Sequence, residues 1–150
     1  MTAVSSHTRT PTAFLCCYLI LKKQDRVCLL LRKNTGYCDG FYGLIAGHAE
    51  EGESATEAMI REAKEEAGLH LEAAQLKLVH VMHCKTNRLN INFFFEYAFW
   101  PGDPQNCEPD KCENIALFPL ADLPENTMDF VAYACKASSR GEFYSEIGFK

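Results

Sequence analysis

The chain has 150 residues, a formal net charge of −5 and 47% hydrophobic residues. A chain of this length buries about 68–70% of its unfolded surface, so the sequence predicts a single domain. The acidic balance and the lack of a basic run argue against a groove for long nucleic acid, because such grooves bind many phosphates through Lys and Arg. A single nucleotide that brings its own metal ion is compatible with this charge.

The N-terminal region is predicted to be a loose arm at residues 1–11, followed by one domain at residues 12–150. The apolar run 13–21 resembles the core of a signal peptide. We interpret it as the first strand, because Lys22 and Lys23 follow it where a cleavage site needs small residues. It is also shorter than the roughly 20 residues of a membrane span. The sequence therefore predicts a cytoplasmic protein with no membrane partner.

Further apolar runs predict a sheet. A second strand is expected at 26–32 after the polar turn at 23–25, and a short strand is expected near 41–46. Later runs predict three more strands and a second helix, with strands at 76–83, 89–100 and 115–118 and the helix at 129–137. This order is typical of an α/β fold in which a mixed sheet lies between helices.

The first helix carries the most informative pattern. Ser54-Ala55-Thr56-Glu57 fits a capping box and Gly68 fits a left-handed stop, so a helix is predicted from about 55 to 67. Three glutamates share an arc of about 100° on it: Glu62, Glu65 and Glu66. Like charges at this spacing cost about 0.2–0.5 kcal/mol per pair, so folding alone does not favour them. A hard divalent cation would turn this repulsion into a binding site.

A solvated acidic helix with i,i+4 salt bridges is the alternative interpretation of these charges. Arg61 is the only basic partner at that spacing, because Lys64 faces away from the glutamates. The preceding segment, residues 46–53, is predicted to be a loop whose glycines permit close approach to a ligand. His48 lies in this segment, where contact with a ligand and no function at all are equally good interpretations.

The spacing G-x5-E-x7-R-E-U-x-E-E-x-G-U is matched in full, with Ala63 and Leu69 at the apolar U positions and with Gly47, Glu53, Arg61, Glu62, Glu65, Glu66 and Gly68 at the others. Seven fixed identities co-occur by chance on the order of 10⁻⁸ per starting position. Residues 47–69 thus resemble the Nudix box of the Nudix hydrolases. The resemblance implies the Nudix α/β/α sandwich, a mixed β-sheet flanked by helices.

The resemblance also implies an activity. Nudix enzymes hydrolyse the diphosphate linkage of a nucleoside diphosphate joined to another group, with Mg²⁺ or Mn²⁺ as cofactor. It implies Glu62 and Glu66 as the principal metal ligands, the Gly47 carbonyl as an additional ligand, and Glu65 as a further ligand or the general base. Glu53 and Glu65 compete for the role of general base, and Arg61 is implied to orient Glu53. A further carboxylate is expected from one of Glu108, Asp110 and Glu113, although a simple polar turn explains these three as well.

Eight cysteines occur without a C-x2-C pair, so reduced thiols are expected. A zinc site made by His80, His83 and Cys84 with Cys107 and Cys112 is the minor alternative, because the spacing fits no common finger. The chain shows no extension for NADH or coenzyme A. This favours a small nucleotide-type substrate, such as a nucleoside triphosphate or an oxidised nucleotide. An ADP-ribose or nucleotide-sugar pyrophosphatase is the second hypothesis, a non-catalytic nucleotide-binding regulator is the third, and either a monomer or a homodimer is compatible.

Overall fold

The computed structural model describes residues 12–98 and 102–149. These residues form ten main elements: β1 Phe14–Lys23, β2 Arg26–Arg32, β3 Tyr42–Gly43, β4 Ile45–His48, α1 Ala55–Ala67, β5 Lys77–Lys85, β6 Leu89–Tyr97, β7 Cys112–Pro119, α2 Asp129–Ser139 and β8 Tyr144–Ile147. A short 3₁₀ turn at Ala73–Gln75 precedes β5. The predicted arm at 1–11 and the end of the predicted strand 89–100 lie outside the described residues.

The sheet is mixed, which confirms the predicted α/β class. Its strand order is β3-β2-β1-β6-β5-β8, with β4 paired to β1 and β7 paired to β2. The centre is a parallel pair of β1 and β6, whose register runs from Phe14 opposite Asn90 to Leu21 opposite Tyr97. Parallel strands need a long crossover, and here the crossover contains the box helix α1.

Two apolar cores lie on opposite faces of the sheet. Successive side chains of a strand point to opposite faces. Along β1, Leu19 and Leu21 therefore join the core under α1, whereas Ile20 joins the core under α2. The inner face of α1 consists of Ala58, Met59, Ala63 and Ala67, all of them fully buried. Three of these four are alanines, so the backbone of the helix can approach the sheet closely and bring its glutamates to the edge of the core.

Two elements differ from the prediction. The segment 45–48, partly predicted to be loop, is strand β4, because it pairs antiparallel with β1 from Leu19 opposite Ile45 to Cys16 opposite His48. Strand β8 was not predicted. It has only four residues, and apolar and polar residues alternate weakly along it. It is defined by parallel pairing with β5, from Val81 opposite Tyr144 to Cys84 opposite Ile147.

His80, considered above as a zinc ligand, has a structural role. It is fully buried, with Nδ1 2.8 Å from the Glu142 carbonyl and Nε2 2.8 Å from the Ser145 hydroxyl. A carbonyl only accepts, so Nδ1 donates and Nε2 accepts from Ser145. Both ring nitrogens hold β8 in place, and neither is left for zinc. All eight cysteines are free thiols.

Neither helix in the described part of the chain has the length and apolar composition needed to cross a membrane.

Candidate active site

Helix α1 holds the predicted glutamates in place by capping at both ends. The Ser54 hydroxyl accepts a hydrogen bond of 3.1 Å from the Glu57 N–H, and the Glu57 carboxylate accepts one of 2.9 Å from the Ser54 N–H. At the other end Gly68 adopts φ 66°, and its N–H donates to the Lys64 carbonyl. The capping box, the glycine stop and the bounds of the helix are as predicted.

A cavity of about 690 Å³ is lined by parts of α1, β1, β2 and β4, by the start of α2 and by the loops near them. Five of the predicted site residues line it, namely Gly47, Arg61, Glu62, Glu65 and Glu66. Glu53 lies behind Arg61, with 16% of its side chain exposed. Of the three acidic candidates in the loop 107–113, only Glu108 is among the residues that line this cavity.

Arg61 joins the parts of the site. Its Nε and Nη2 donate to the two carboxylate oxygens of Glu53 at 2.8 and 3.0 Å. Its Nη1 donates to Glu62 at 2.9 Å and to Glu65 at 3.2 Å. Nη2 also donates to the His48 carbonyl at 3.1 Å, which ties α1 to the end of β4. One guanidinium therefore balances three carboxylates and fixes the loop between β4 and α1.

Glu53 is a strongly held carboxylate. The hydrogen bonds from Arg61 and the bond from the Glu50 N–H lower the pKa of Glu53 to about 2. The same contacts raise the pKa of Arg61 above its ordinary value. Since both oxygens of Glu53 accept hydrogen bonds from Arg61, this side chain is ionised and fully engaged.

Glu66 is in the opposite electrostatic situation. It accepts a hydrogen bond of 3.2 Å from the Ala46 N–H, and most of its surface is covered. Burial, together with the neighbouring carboxylates of Glu62 and Glu108, raises the pKa of Glu66 to about 9. The uncharged form of Glu66 is therefore favoured, and a divalent cation is the charge that would replace its proton.

The donor set fits a hard cation. Glu62, Glu65 and Glu66 offer carboxylate oxygens, which Mg²⁺ and Mn²⁺ prefer. Within residues 12–98 and 102–149, no group of three acidic, His or Cys side chains already surrounds one cation position. The reason is visible in the contacts, because Arg61 holds Glu62 and Glu65. Cation binding would exchange bonds to Arg61 for bonds to the metal.

Gly47 makes room for Glu62. A Cβ at position 47 would overlap the Cγ, Cδ and Oε1 atoms of Glu62. These atoms belong to a flexible side chain, so Gly47→Ala is expected to displace the carboxylate at little cost in stability. We expect the apparent Mg²⁺ affinity to fall about tenfold, in line with changes around metal ligands. The measurement is the Mg²⁺-dependent rise in melting temperature.

Gly102→Ala is the matched control for this prediction, since nothing lies within 4 Å of a Cβ at position 102. An unchanged Mg²⁺ response in Gly47→Ala would contradict the placement of the metal beside Glu62.

One wall of the cavity is apolar. Tyr18 stacks on Phe94 with ring centres 4.8 Å apart and meets Phe130 edge-on at 5.3 Å. Leu44 and Met128 complete this wall. Tyr18 belongs to the run predicted as the first strand, so only the fold identifies it as a lining residue.

Sequence reasoning also missed two arginines that line the cavity. Arg32 ends β2 and donates from Nε to the Tyr37 carbonyl at 2.8 Å. Arg88 lies in the hairpin between β5 and β6. Neither is part of a local motif, and only the pairing of distant strands brings them to the box.

Comparison with known proteins identifies the type of domain. The family model of the NUDIX domain matches residues 10–136. The NAD-capped RNA hydrolase NudC of Pseudomonas entomophila (strain L48) is 30% identical over 106 residues, which is 71% of this chain and 36% of that protein. The 8-oxo-dGDP phosphatase NUDT18 of Homo sapiens is 45% identical over 64 residues, which is 40% of this chain and 20% of that protein. The matched region is thus about a third or less of these curated relatives.

Solved structures share the fold over nearly their full length. The MutT NUDIX hydrolase from Burkholderia pseudomallei aligns with a TM-score of 0.76 at 25% identity, covering 83% of this chain and 97% of that one. The MutT protein from Methanosarcina mazei Go1 aligns with a TM-score of 0.76 at 16% identity, covering 89% and 97%. The second match shows the likeness of fold alone.

Proposed function

This chain belongs to the Nudix hydrolase family, and we propose that it is a Mg²⁺- or Mn²⁺-dependent pyrophosphohydrolase. Its proposed substrate is a nucleoside triphosphate or a related small nucleoside diphosphate derivative, including oxidised nucleotides. One observation carries the proposal: Gly47, Glu62, Glu65 and Glu66 line a single cavity around Arg61, large enough for a nucleotide. A cytoplasmic location, a single domain at residues 12–150 and a monomer or homodimer stay predictions.

The metal is proposed to bind Glu62, Glu65, Glu66 and the Gly47 carbonyl. When bound, it neutralises a diphosphate and lowers the pKa of a bound water. The chain supplies the remaining functions. On binding the metal, Glu66 would release its proton to the solvent and add a negative charge, and the Ala46 N–H keeps its carboxylate oriented. Arg61 neutralises Glu53 and, through the His48 carbonyl, holds the end of β4, the strand that carries the glycine carbonyl.

Glu65 is the better candidate for the general base. Its side chain is 52% exposed and lines the cavity, and its single contact with Arg61 is the longest of the set at 3.2 Å. Glu53 has a pKa of about 2 and both its oxygens are bound, which makes it a weak base. We therefore assign proton removal to Glu65 and a positioning role to Glu53.

This assignment predicts different kinetic effects for two variants. Glu65→Gln is expected to lower kcat by about 10²–10⁴-fold, the usual contribution of a general base. Glu53→Gln should cost about 10–100-fold, as for a group that orients others. The measurement is kcat against pH for both variants and the wild type. A larger loss in Glu53→Gln, with the pH profile of Glu65→Gln unchanged, would reverse the two roles.

The nucleoside is proposed to lie against the apolar wall at Tyr18, Leu44 and Met128, because a base needs aromatic or aliphatic surface and this wall supplies it. In this orientation the phosphate chain extends toward Glu62 and Glu66.

The test of the proposed function is a substrate panel with Mg²⁺ or Mn²⁺ and a phosphate-release readout. The panel contains canonical and oxidised nucleoside di- and triphosphates, dinucleoside polyphosphates, ADP-ribose and nucleotide sugars. NAD and NAD-capped RNA are added because of the relative NudC. Turnover of ADP-ribose or a nucleotide sugar alone would favour the second hypothesis, and nucleotide binding without any turnover would favour a regulator.

A further inference from the structure

Arg88 lies at the rim of the cavity, and the proposed mechanism gives it no role. Its guanidinium carbon lies 4.2 Å from the centre of the Phe14 ring. Its Nη2 lies 2.9 Å from Nε2 of His48. Since a guanidinium only donates, His48 accepts this hydrogen bond through Nε2. A ring on one side and an imidazole on the other thus hold the cation in place.

Arg88 keeps hydrogen-bonding capacity for a ligand. Its bond to His48 uses one of several N–H donors. No carboxylate among the described residues lies within 4.0 Å of it, whereas Arg61 has four such partners. Arg88 is exposed, so an anion from solution can reach it. The two arginines differ in this respect, because Arg61 is occupied by the protein and Arg88 is open to a ligand.

Three side chains of α1 contact three successive residues of β4. The Ala46 N–H binds Glu66, Gly47 faces Glu62, and the carbonyl of residue 48 binds Arg61. Along β4, the contacts with α1 therefore run from Glu66, at residue 46, to Arg61, at residue 48.

The pairing of β4 with β1 places β1 residues beside these contacts. Tyr18 pairs with Ala46, and Cys16 pairs with His48. Phe14 lies two residues further along the same face, about 13 Å from Tyr18 at the usual strand rise. Arg88, stacked on Phe14, therefore lies beyond the box carboxylates, at the opposite end of the cavity from the wall at Tyr18.

We propose that Arg88 binds the phosphoryl group that lies beyond the scissile linkage as seen from the nucleoside. This inference rests on the proposed function and narrows it. In nucleoside di- and triphosphates the groups beyond the linkage end in a free phosphoryl group, whereas in nucleotide sugars and NAD the phosphoryl group beyond the linkage is esterified and carries less negative charge. The free group would therefore accept stronger charge-assisted hydrogen bonds from the open guanidinium edge. The enzyme therefore prefers nucleoside di- and triphosphates to nucleotide sugars and NAD.

The test uses Arg88→Gln, Arg88→Lys and the control Lys85→Gln. Lys85 is an exposed cation of the same hairpin region that does not line the cavity. The first readout is calorimetric binding of imidodiphosphate, a non-hydrolysable diphosphate without a nucleoside, and of AMP, both with Mg²⁺. The second readout is kcat/KM for a nucleoside triphosphate and for UDP-glucose.

Arg88→Gln is expected to weaken imidodiphosphate binding by about 10–100-fold, the loss for hydrogen bonds to a charged group. AMP binding should change less than about twofold, since AMP has no group beyond its single phosphate. The affinity of Arg88→Lys for imidodiphosphate should lie between those of Arg88→Gln and the wild type, because lysine keeps the charge without the planar fork. The triphosphate kcat/KM should fall relative to that for UDP-glucose, and Lys85→Gln should match the wild type.

The outcomes separate this inference from the proposed function. Unchanged imidodiphosphate binding in Arg88→Gln, with normal nucleotide turnover in the wild type, overturns the role of Arg88 and leaves the function in place. Weakened binding in a protein that hydrolyses no member of the panel supports the anion site and overturns the function. A wild-type protein that does not bind imidodiphosphate overturns the anion site whatever its turnover.

Discussion

Replacing Glu66 with Gln is expected to lower turnover by about 10³-fold or more while the fold stays intact, since several kcal/mol of metal-dependent stabilisation would be lost. The Glu66 carboxylate is largely buried, and an amide cannot carry the negative charge that a cation needs. The measurement is kcat/KM on the best substrate of the panel. Full activity in Glu66→Gln would show that the metal assignment is wrong.

The same variant is expected to be more stable than the wild type without metal. The pKa of Glu66 rises from 4.5, its ordinary value, to about 9 in the fold. Between these pH values the folded protein holds a proton that the unfolded chain has released, so the free energy of unfolding falls as the pH rises. Glu66→Gln removes this dependence. In urea unfolding without metal, the free energy of unfolding of Glu66→Gln should therefore exceed that of the wild type near pH 8, and the two values should agree near pH 4.

Mg²⁺ should reverse that order. The cation stabilises the folded wild type by binding to it and has no matching effect in Glu66→Gln. Glu72→Gln is the control, because Glu72 is exposed and lies outside the residues that line the cavity. If Mg²⁺ stabilises Glu66→Gln as much as the wild type, the cation binds elsewhere.

Replacing Arg61 with Ala is expected to lower kcat by about 10–100-fold, as for residues that orient metal ligands and catalytic groups. Glu53 and Glu62 have only 16% and 14% of their side chains exposed, and both would lose their guanidinium partner. A further loss of about 1–3 kcal/mol in stability is expected from unpaired charged groups. Kinetics and urea unfolding of the same protein measure both effects.

The Mg²⁺ affinity of Arg61→Ala distinguishes two roles of Arg61, the orientation of catalytic groups and competition with the cation. Because Arg61 binds Glu62 and Glu65, it would compete with a cation at the proposed site, and its removal should leave Mg²⁺ affinity unchanged or higher while kcat falls. Arg61→Lys is the control that keeps the charge but not the fork that binds both oxygens of Glu53. Wild-type kcat in Arg61→Ala would remove Arg61 from the site.

Much of the local structure could be predicted because it depends on short-range rules. The capping box and the glycine stop define α1, and the three glutamates share a face because of helical periodicity alone. The contact of Arg61 with Glu65 is likewise an i,i+4 pair. The spacing of residues within the 23-residue segment 47–69 was therefore enough to predict the central part of the candidate site.

The rest of the site depends on strand register, which short patterns do not specify. Strand β4 has four residues with a glycine, and its pairing with β1 decides where Gly47 and His48 lie. Arg88 joins the cavity only because β6 runs parallel to β1. A lone arginine in a hairpin carries no signal of its own, so neither its stacking on Phe14 nor its place at the rim could be predicted.

The parallel pairing of β1 with β6 has a consequence for the kinetics of folding. Phe14 lies opposite Asn90, so the central contact of the sheet closes a large segment of chain that contains α1. Such closure costs about (3/2)RT ln n in chain entropy before any long-range contact can compensate for it. Mixed α/β topologies of this kind fold more slowly than helical bundles. Helix α1 can form from local interactions, but the surface that it shares with β4 and Arg88 has to wait for this closure, so catalytic competence should develop in the slowest phase of refolding.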